Sequence, residues 1–285
     1  MKVLIGFDGS EGAYDAVELG RRLARGESGE ALLVNVLPYP GPLPVAYYLL
    51  GYEEAEWSHE LFSGAASALA PLSVSWANYV GGSAAHILTD RAEEEHFDLM
   101  VVGSPHRGAV GRALLGSVAQ GVLHGAPVPV AVAPRGYAKK DEGELRRIAV
   151  AYDGTPEAGQ ALDRAISLAG QRAATIDLLT VATIPPPAPK LGGFRLDPQR
   201  RPGEVLEQGL AAVGADVESR GRELHGGSIP SALAAACEDA DLLIIGSRQY
   251  GVFARVMIGS VSTEMIHSAP CPVLVVPRPG DEKEH

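Results

Sequence analysis

Cysteine is nearly absent from this chain. Only Cys237 and Cys271 occur in 285 residues, and they have no short metal-like spacing. A disulfide framework is not implied, and both read as small, reduced core residues. No run approaches the roughly 18 apolar residues needed to span a bilayer. Positive charge is in deficit: 24 Lys and Arg stand against 35 Asp and Glu, a net charge of -11. That balance argues against general nucleic-acid binding and against an acidic membrane surface as partner. The first residues, Met1 to Ile5, enter a strand at once, so no signal peptide is read and the cytoplasm is the expected location.

Several nucleotide and catalytic signatures are also missing. There is no Gly-x4-Gly-Lys-Ser/Thr, which disfavours a P-loop NTPase. No Gly-x-Gly-x-x-Gly follows the first apolar run, which disfavours a nicotinamide site. Asp8-Gly9-Ser10 is not the Ser-Gly-Gly-x-Asp-Ser of ATP pyrophosphatases, so an adenylating enzyme is disfavoured. His59, His86, His96, His124 and His267 lack metal spacing, and no Ser-His-Asp order can be argued. No general base for hydrolysis stands out, and the chain is not expected to be an enzyme.

What is present comes twice. The apolar run Leu99 to Val102 breaks at Gly103-Ser104 into a glycine-rich loop that ends at Gly116-Ser117-Val118, where a helical pattern starts. Leu243 to Gly246-Ser247 leads in the same way to Gly259-Ser260-Val261. Both loops are followed by Ala-Pro-x-Pro and a short β-branched strand, at 126–129 and 269–272. Asp8-Gly9-Ser10 after the first strand recurs as Asp153-Gly154-Thr155, and Gly81-Gly82-Ser83 recurs as Gly226-Gly227-Ser228. Asp8 and Asp153 are 145 positions apart, while Gly103 and Gly246 are 143 apart. One two-residue deletion between Ser228 and Asp241 reconciles the two offsets. Recurrence with matching flanks is the mark of an internal duplication.

Within each half, apolar runs alternate with helical periodicity. The order reads β-α-β-α-β-α-β-α-β, with strands near 2–7, 31–37, 72–80, 98–102 and 128–133. The second half restarts at Ile148, with strand three over 216–224 and a helix continuing over 231–238. The second strand, Ala31 to Leu37, is apolar on both faces except at Asn35, which implies a parallel sheet covered by helices on both sides. The fold expected is α/β: two tandem, doubly wound, five-stranded parallel sheets of order 3-2-1-4-5. Domains are placed at 1–135 and 147–278, with a polar linker at 136–146 and a charged tail at 279–285. In such a sheet a crevice opens at the carboxyl ends of the strands where their order reverses. Asp8 would lie there, either accepting hydrogen bonds from a ribose hydroxyl or simply capping the next helix. Strand, glycine loop and helix N-terminus together offer amide hydrogens to an anion.

The Gly-Phe-Asp-Gly-Ser and Ala-Tyr-Asp-Gly-Thr segments, the two Gly-Ser loops and the Ala-Pro-x-Pro strands resemble the universal stress protein family in its tandem form. The likeness covers nearly the whole chain. Nucleotide-binding members of that family hold ATP or a related adenine nucleotide through a Gly-x2-Gly-x9-Gly-Ser/Thr loop. The resemblance implies adenine contacts from Gly6 and Val36, ribose contacts from Asp8 and Gly103, and phosphate contacts from Gly116, Ser117 and Val118. The matching residues of the second half are Ala151, Val181, Asp153, Gly246, Gly259, Ser260 and Val261. The cofactor implied is ATP or AMP, with or without Mg2+. Both loops depart from the motif at its second glycine, which is His106 in one half and Gln249 in the other. A side chain there either crowds the phosphates or supplies a hydrogen bond. Arg107, Arg112, Arg248 and Arg255 in the loops either screen phosphate charge or are solvated. Family likeness also implies that the halves pair through their fifth strands about a pseudo-two-fold axis, with further association into a homodimer. Two functional classes stay open: a nucleotide binder whose occupancy alters a surface read by an unidentified protein partner in stress response, and a nucleotide-free scaffold.

Overall fold

The computed structural model describes residues 1–24, 29–38, 56–104, 116–140, 143–182, 201–247 and 259–277. His106, Gln249 and the four loop arginines fall outside the described residues. In the first half the elements are β1 (Lys2–Gly6), α1 (Glu11–Ala24), β2 (Glu30–Pro38), α2 (Glu56–Ala68), β3 (Ser73–Gly81), α3 (Ala84–Glu94), β4 (Leu99–Gly103), α4 (Ser117–Leu123) and β5 (Val130–Ala133). The second half repeats them as β6 (Arg147–Ala151), α5 (Pro156–Gly170), β7 (Thr175–Ala182), α6 (Pro202–Val213), β8 (Ser219–His225), α7 (Ile229–Ala236), β9 (Leu242–Gly246), α8 (Ser260–Ser268) and β10 (Val273–Val276).

The strands form one continuous ten-stranded sheet of order β3-β2-β1-β4-β5-β10-β9-β6-β7-β8. Each half keeps the expected 3-2-1-4-5 order, and the two five-stranded sheets are merged. The seam is antiparallel, with Val132 opposite Val273, Ala131 opposite Leu274 and Val130 opposite Val275; the other pairings are parallel. Edge strands carry unpaired amides and carbonyls that invite a partner. β5 and β10, short and wholly apolar, satisfy each other across the seam.

Alternation at period two sends successive strand residues to opposite faces. On β1, Val3 and Ile5 join one core while Leu4 joins the other. The first core is covered by α1, α2, α5 and α6, through residues such as Leu23, Phe62, Leu162 and Leu206. The second lies under α3, α4, α7 and α8, through Leu88, Val122, Leu233 and Met265. Burial on both faces is why these strands read as continuous apolar runs.

Local signals set the helix starts. The Ser10 hydroxyl accepts from the Ala13 amide, and Thr155 caps α5 the same way with Pro156 in its first turn. Helix α7 begins at Ile229, directly after Ser228, which stands where Ser83 caps α3; Ser228 and Ser231 form a reciprocal cap that accommodates Pro230 in the first turn. Strand β8 begins at Ser219, three residues later than read. The polar segment after β5 is held firmly at its start. Tyr137, in a 3-10 turn at Tyr137–Lys139, is fully buried under the Arg22 guanidinium, 4.7 Å from its ring centroid. The buried Asp15 carboxylate accepts from the Gly136 and Ala138 amides, each at 2.8 Å. Among the described residues no helix is long and apolar enough to cross a membrane.

Candidate functional site

The chain leaves β1 toward β2 and β3 on one side, then returns to place β4 on the other. Connections diverge at that point, and a crevice opens between the carboxyl ends of β1 and β4. Gly6, Asp8, Val36, Gly103, Gly116, Ser117 and Val118 all line this one cavity, whose volume is about 380 Å³. Phe7, Ser10, Gly12, Val34, Leu88 and Ser104 complete much of its wall. In the second half, Ala151, Asp153, Val181, Gly246, Gly259, Ser260 and Val261 line the corresponding cavity, of only about 120 Å³.

Asp8 is exposed at the rim, and its carboxylate accepts from the Ser10 amide at 3.0 Å. Asp153 accepts from both the amide and the hydroxyl of Thr155, at 3.1 and 2.5 Å. These side chains therefore shape the turn, while Ser10 and Thr155 cap the helix. A carboxylate has about four acceptor positions, so the turn bond leaves room for a ligand hydroxyl. The glycine between them has φ of 80° at Gly9 and 75° at Gly154, a left-handed conformation that explains Asp-Gly-Ser/Thr in both halves.

The glycine at the end of β4 has a steric origin. A Cβ on Gly103 would lie 1.9 Å from the Gly12 carbonyl oxygen, and one on Gly246 would lie 2.4 Å from that of Glu157. The first turn of α1 or α5 presses directly on the strand end. At the far wall, α4 starts at Gly116 with φ of −65°, ψ of 153° and no side-chain cap; Gly259 starts α8 in the same way. The first amides of a helix have no intrahelical acceptor, and those of Ser117 and Val118, and of Ser260 and Val261, belong to residues that line the two cavities.

Sequence reasoning missed what makes the two cavities unequal. Carrying the 145-position offset along the wall pairs Gly6 with Ala151, Phe7 with Tyr152, Gly12 with Glu157 and Val34 with Leu179. Each pairing puts the larger residue on the wall of the second cavity. The signal was in the register itself, had it been applied to wall positions as well as to motif positions.

A duplicated α/β sheet with a crevice at each strand-order reversal, an Asp-Gly-hydroxyl turn at one lip and an uncapped helix start at the other defines the class. The family description "Universal stress protein family" matches residues 1–134 and again 144–277. The chain belongs to the universal stress protein family, in tandem form. A universal stress protein of Mycobacterium tuberculosis is 28% identical over 293 residues, covering 97% of this chain and all of the relative. One from Mycobacterium bovis is 26% identical over 308 residues, covering 98% of this chain and 96% of the relative. Among solved structures, a universal stress protein from Archaeoglobus fulgidus superposes with a TM-score of 0.73 at 22% identity, over 98% of both chains. That structural likeness extends the agreement in fold to the full tandem arrangement.

Proposed function

We propose that the first-half crevice binds an adenine nucleotide, ATP or AMP, and that occupancy changes a surface read by a protein partner. The observation that carries this reading is the cavity of about 380 Å³ that brings Asp8 and the start of α4 to one site. The volume falls in the usual range for small-molecule sites, about 300–1,000 Å³. Gly6 and Val36 offer an apolar slot for the base, and Asp8 offers acceptors for ribose hydroxyls. The Ser117 and Val118 amides suit phosphate oxygens, with the narrow backbone at Gly103 between them. Mg2+ would enter with the polyphosphate. The reading is of a binder, without turnover.

The second half fits the scaffold reading better. Its cavity is about 120 Å³, and Glu157 lines it where the first half has a glycine. A homodimer in solution, which light scattering tests, remains part of the proposal.

Isothermal titration with ATP and AMP is the direct test. Asp8→Asn keeps an oxygen for the Ser10 amide but removes the charge, and should weaken binding about tenfold. Asp153→Asn should leave affinity unchanged. Absence of heat with either nucleotide at millimolar concentration, in protein shown to be folded, would overturn the proposal and leave a scaffold. Loss of affinity in Asp153→Asn alone would move the site to the other half.

A further inference from the structure

The ten-stranded sheet ends in two unlike edges, β3 at one side and β8 at the other. The 145-position offset makes them counterparts, with Val74 matching Ser219 and Ala77 matching Arg222. β8 carries Arg220, Arg222, Glu223 and His225 in its seven residues. Charged side chains on an edge strand oppose pairing with another strand. None of the nine residues of β3, Ser73 to Gly81, is charged, and none is proline. Trp76 lies near its middle, 37% exposed, stacked on Phe62 and edge-on to His59. The device that guards one edge is missing from the other.

The outer side of β3 offers a full set of backbone groups. The Ser73 amide donates to the Gly29 carbonyl, and Ser73 lies opposite Glu30 of β2. In a strand, the N–H and C=O of one residue point to the same side and those of the next point the other way. Ser73, Ser75, Ala77, Tyr79 and Gly81 therefore bond to β2. Val74, Trp76, Asn78 and Val80 turn their amides and carbonyls outward. Among the described residues no hydrogen bond reaches these outward backbone groups.

The outward groups are symmetric about Ala77. An antiparallel copy of β3 centred there sets Val74 against Val80 and Trp76 against Asn78, and each such pair exchanges two hydrogen bonds. Every outward amide and carbonyl is then satisfied. Ala77, a small side chain, meets its own copy at the axis, and Ser75 faces Tyr79. No charge opposes another along the strands, whereas β8 paired with itself would set its arginines near one another.

We propose, building on the homodimer put forward above, that a second copy of the chain pairs with β3, antiparallel about a two-fold axis at Ala77. The two ten-stranded sheets become one continuous sheet. The interface uses the same strand of both copies, so it is isologous. It consumes the open edge and leaves the charged β8 at both outer ends, so the assembly closes at two chains.

Light scattering on the full-length protein should give twice the mass of one chain. Ala77→Arg sets two guanidinium groups against each other at the axis and should give the mass of one chain. Its far-UV circular dichroism should be unchanged, because Arg222 already stands at the matching position of β8. At the axis the two Ala77 Cα atoms would lie about 4.5 Å apart, within the span of a disulfide. After mild oxidation Ala77→Cys should therefore run as a linked dimer on a denaturing gel, and dithiothreitol should reverse it. Ser73→Cys, on the same face, would lie about 27 Å from its copy along the strands and should stay unlinked. If Ala77→Arg does not fold, the two cysteine variants decide alone. A mass of one chain at millimolar concentration would overturn both this surface and the homodimer, leaving the edge to a strand of another protein. A dimer that survives in folded Ala77→Arg, or that Ser73→Cys links and Ala77→Cys does not, would refute this surface and leave a homodimer built elsewhere.

Discussion

Gly103→Ala separates two reasons for a glycine at the end of β4. One is ligand approach; the other is the pressure of α1. The added methyl would sit 1.9 Å from the Gly12 carbonyl oxygen and 2.4 Å from its carbon, and both are backbone atoms. No rotamer relieves that contact, so the first turn of α1 must retreat by about 1 Å from a close-packed wall. Overpacking of this kind costs about 1–3 kcal/mol, and backbone contacts this short lie at or above the upper end. Gly6→Ala is the control. Its methyl would meet the Leu88 Cδ1 atom at 3.3 Å, a side chain that can yield, and Ala151 already occupies the matching position of the second half. The expected cost there is below about 1 kcal/mol. Urea unfolding followed by circular dichroism reads both variants. A Gly103→Ala protein within about 0.5 kcal/mol of the parent would refute the steric argument. A destabilised but folded Gly103→Ala that still binds nucleotide would show that the glycine serves the fold rather than the ligand.

Three further outcomes follow from other polar groups. Asp15→Ala removes the acceptor of the Gly136 and Ala138 amides, and should destabilise the chain by about 3 kcal/mol in denaturant titration. Asn78→Ala breaks a buried relay in which the Asn35 amide donates to Asn78 and the Asn78 amide donates to Ser58, at 3.0 and 2.7 Å. Two orphaned partners should lower stability by about 2–3 kcal/mol on the same measurement, whereas Val36→Ala on the opposite sheet face should leave that relay intact. The Glu18 carboxyl is held below its ordinary value of 4.5, chiefly by the Arg21 guanidinium, with Arg22 assisting against partial burial. A carboxyl lowered on folding stabilises above its unfolded value and loses that contribution as the pH falls through the folded one. Thermal midpoints of the parent and of Glu18→Gln should therefore differ above pH 4.5 and converge in more acidic buffer.

Much of the fold is written locally. Strand and helix alternation shows as runs buried on both faces and as apolar residues at helical spacing, and the caps at Ser10, Ser83 and Thr155 lie where their hydroxyls predict. The error of three residues at the start of β8 arises where local signals compete, with Asp216 to Glu218 ahead of a charged edge strand. The gathering of Asp8, Val36, Gly103 and Ser117 around one crevice was also legible, because strand order alone brings those loop ends together.

Register and periodicity are properties of short windows, and they determined the duplication, the layer architecture and the motif positions. Tertiary structure decided what depends on distant atoms. The antiparallel seam joins residues about 140 positions apart, and a short apolar strand does not name its partner. The inequality of the cavities comes from Ala151, Glu157 and Leu179 converging from three elements onto one volume. A chain specifies each of these side chains one at a time, but only folding sets which atoms share a space, and it is that sharing which sets volume, charge and reactivity.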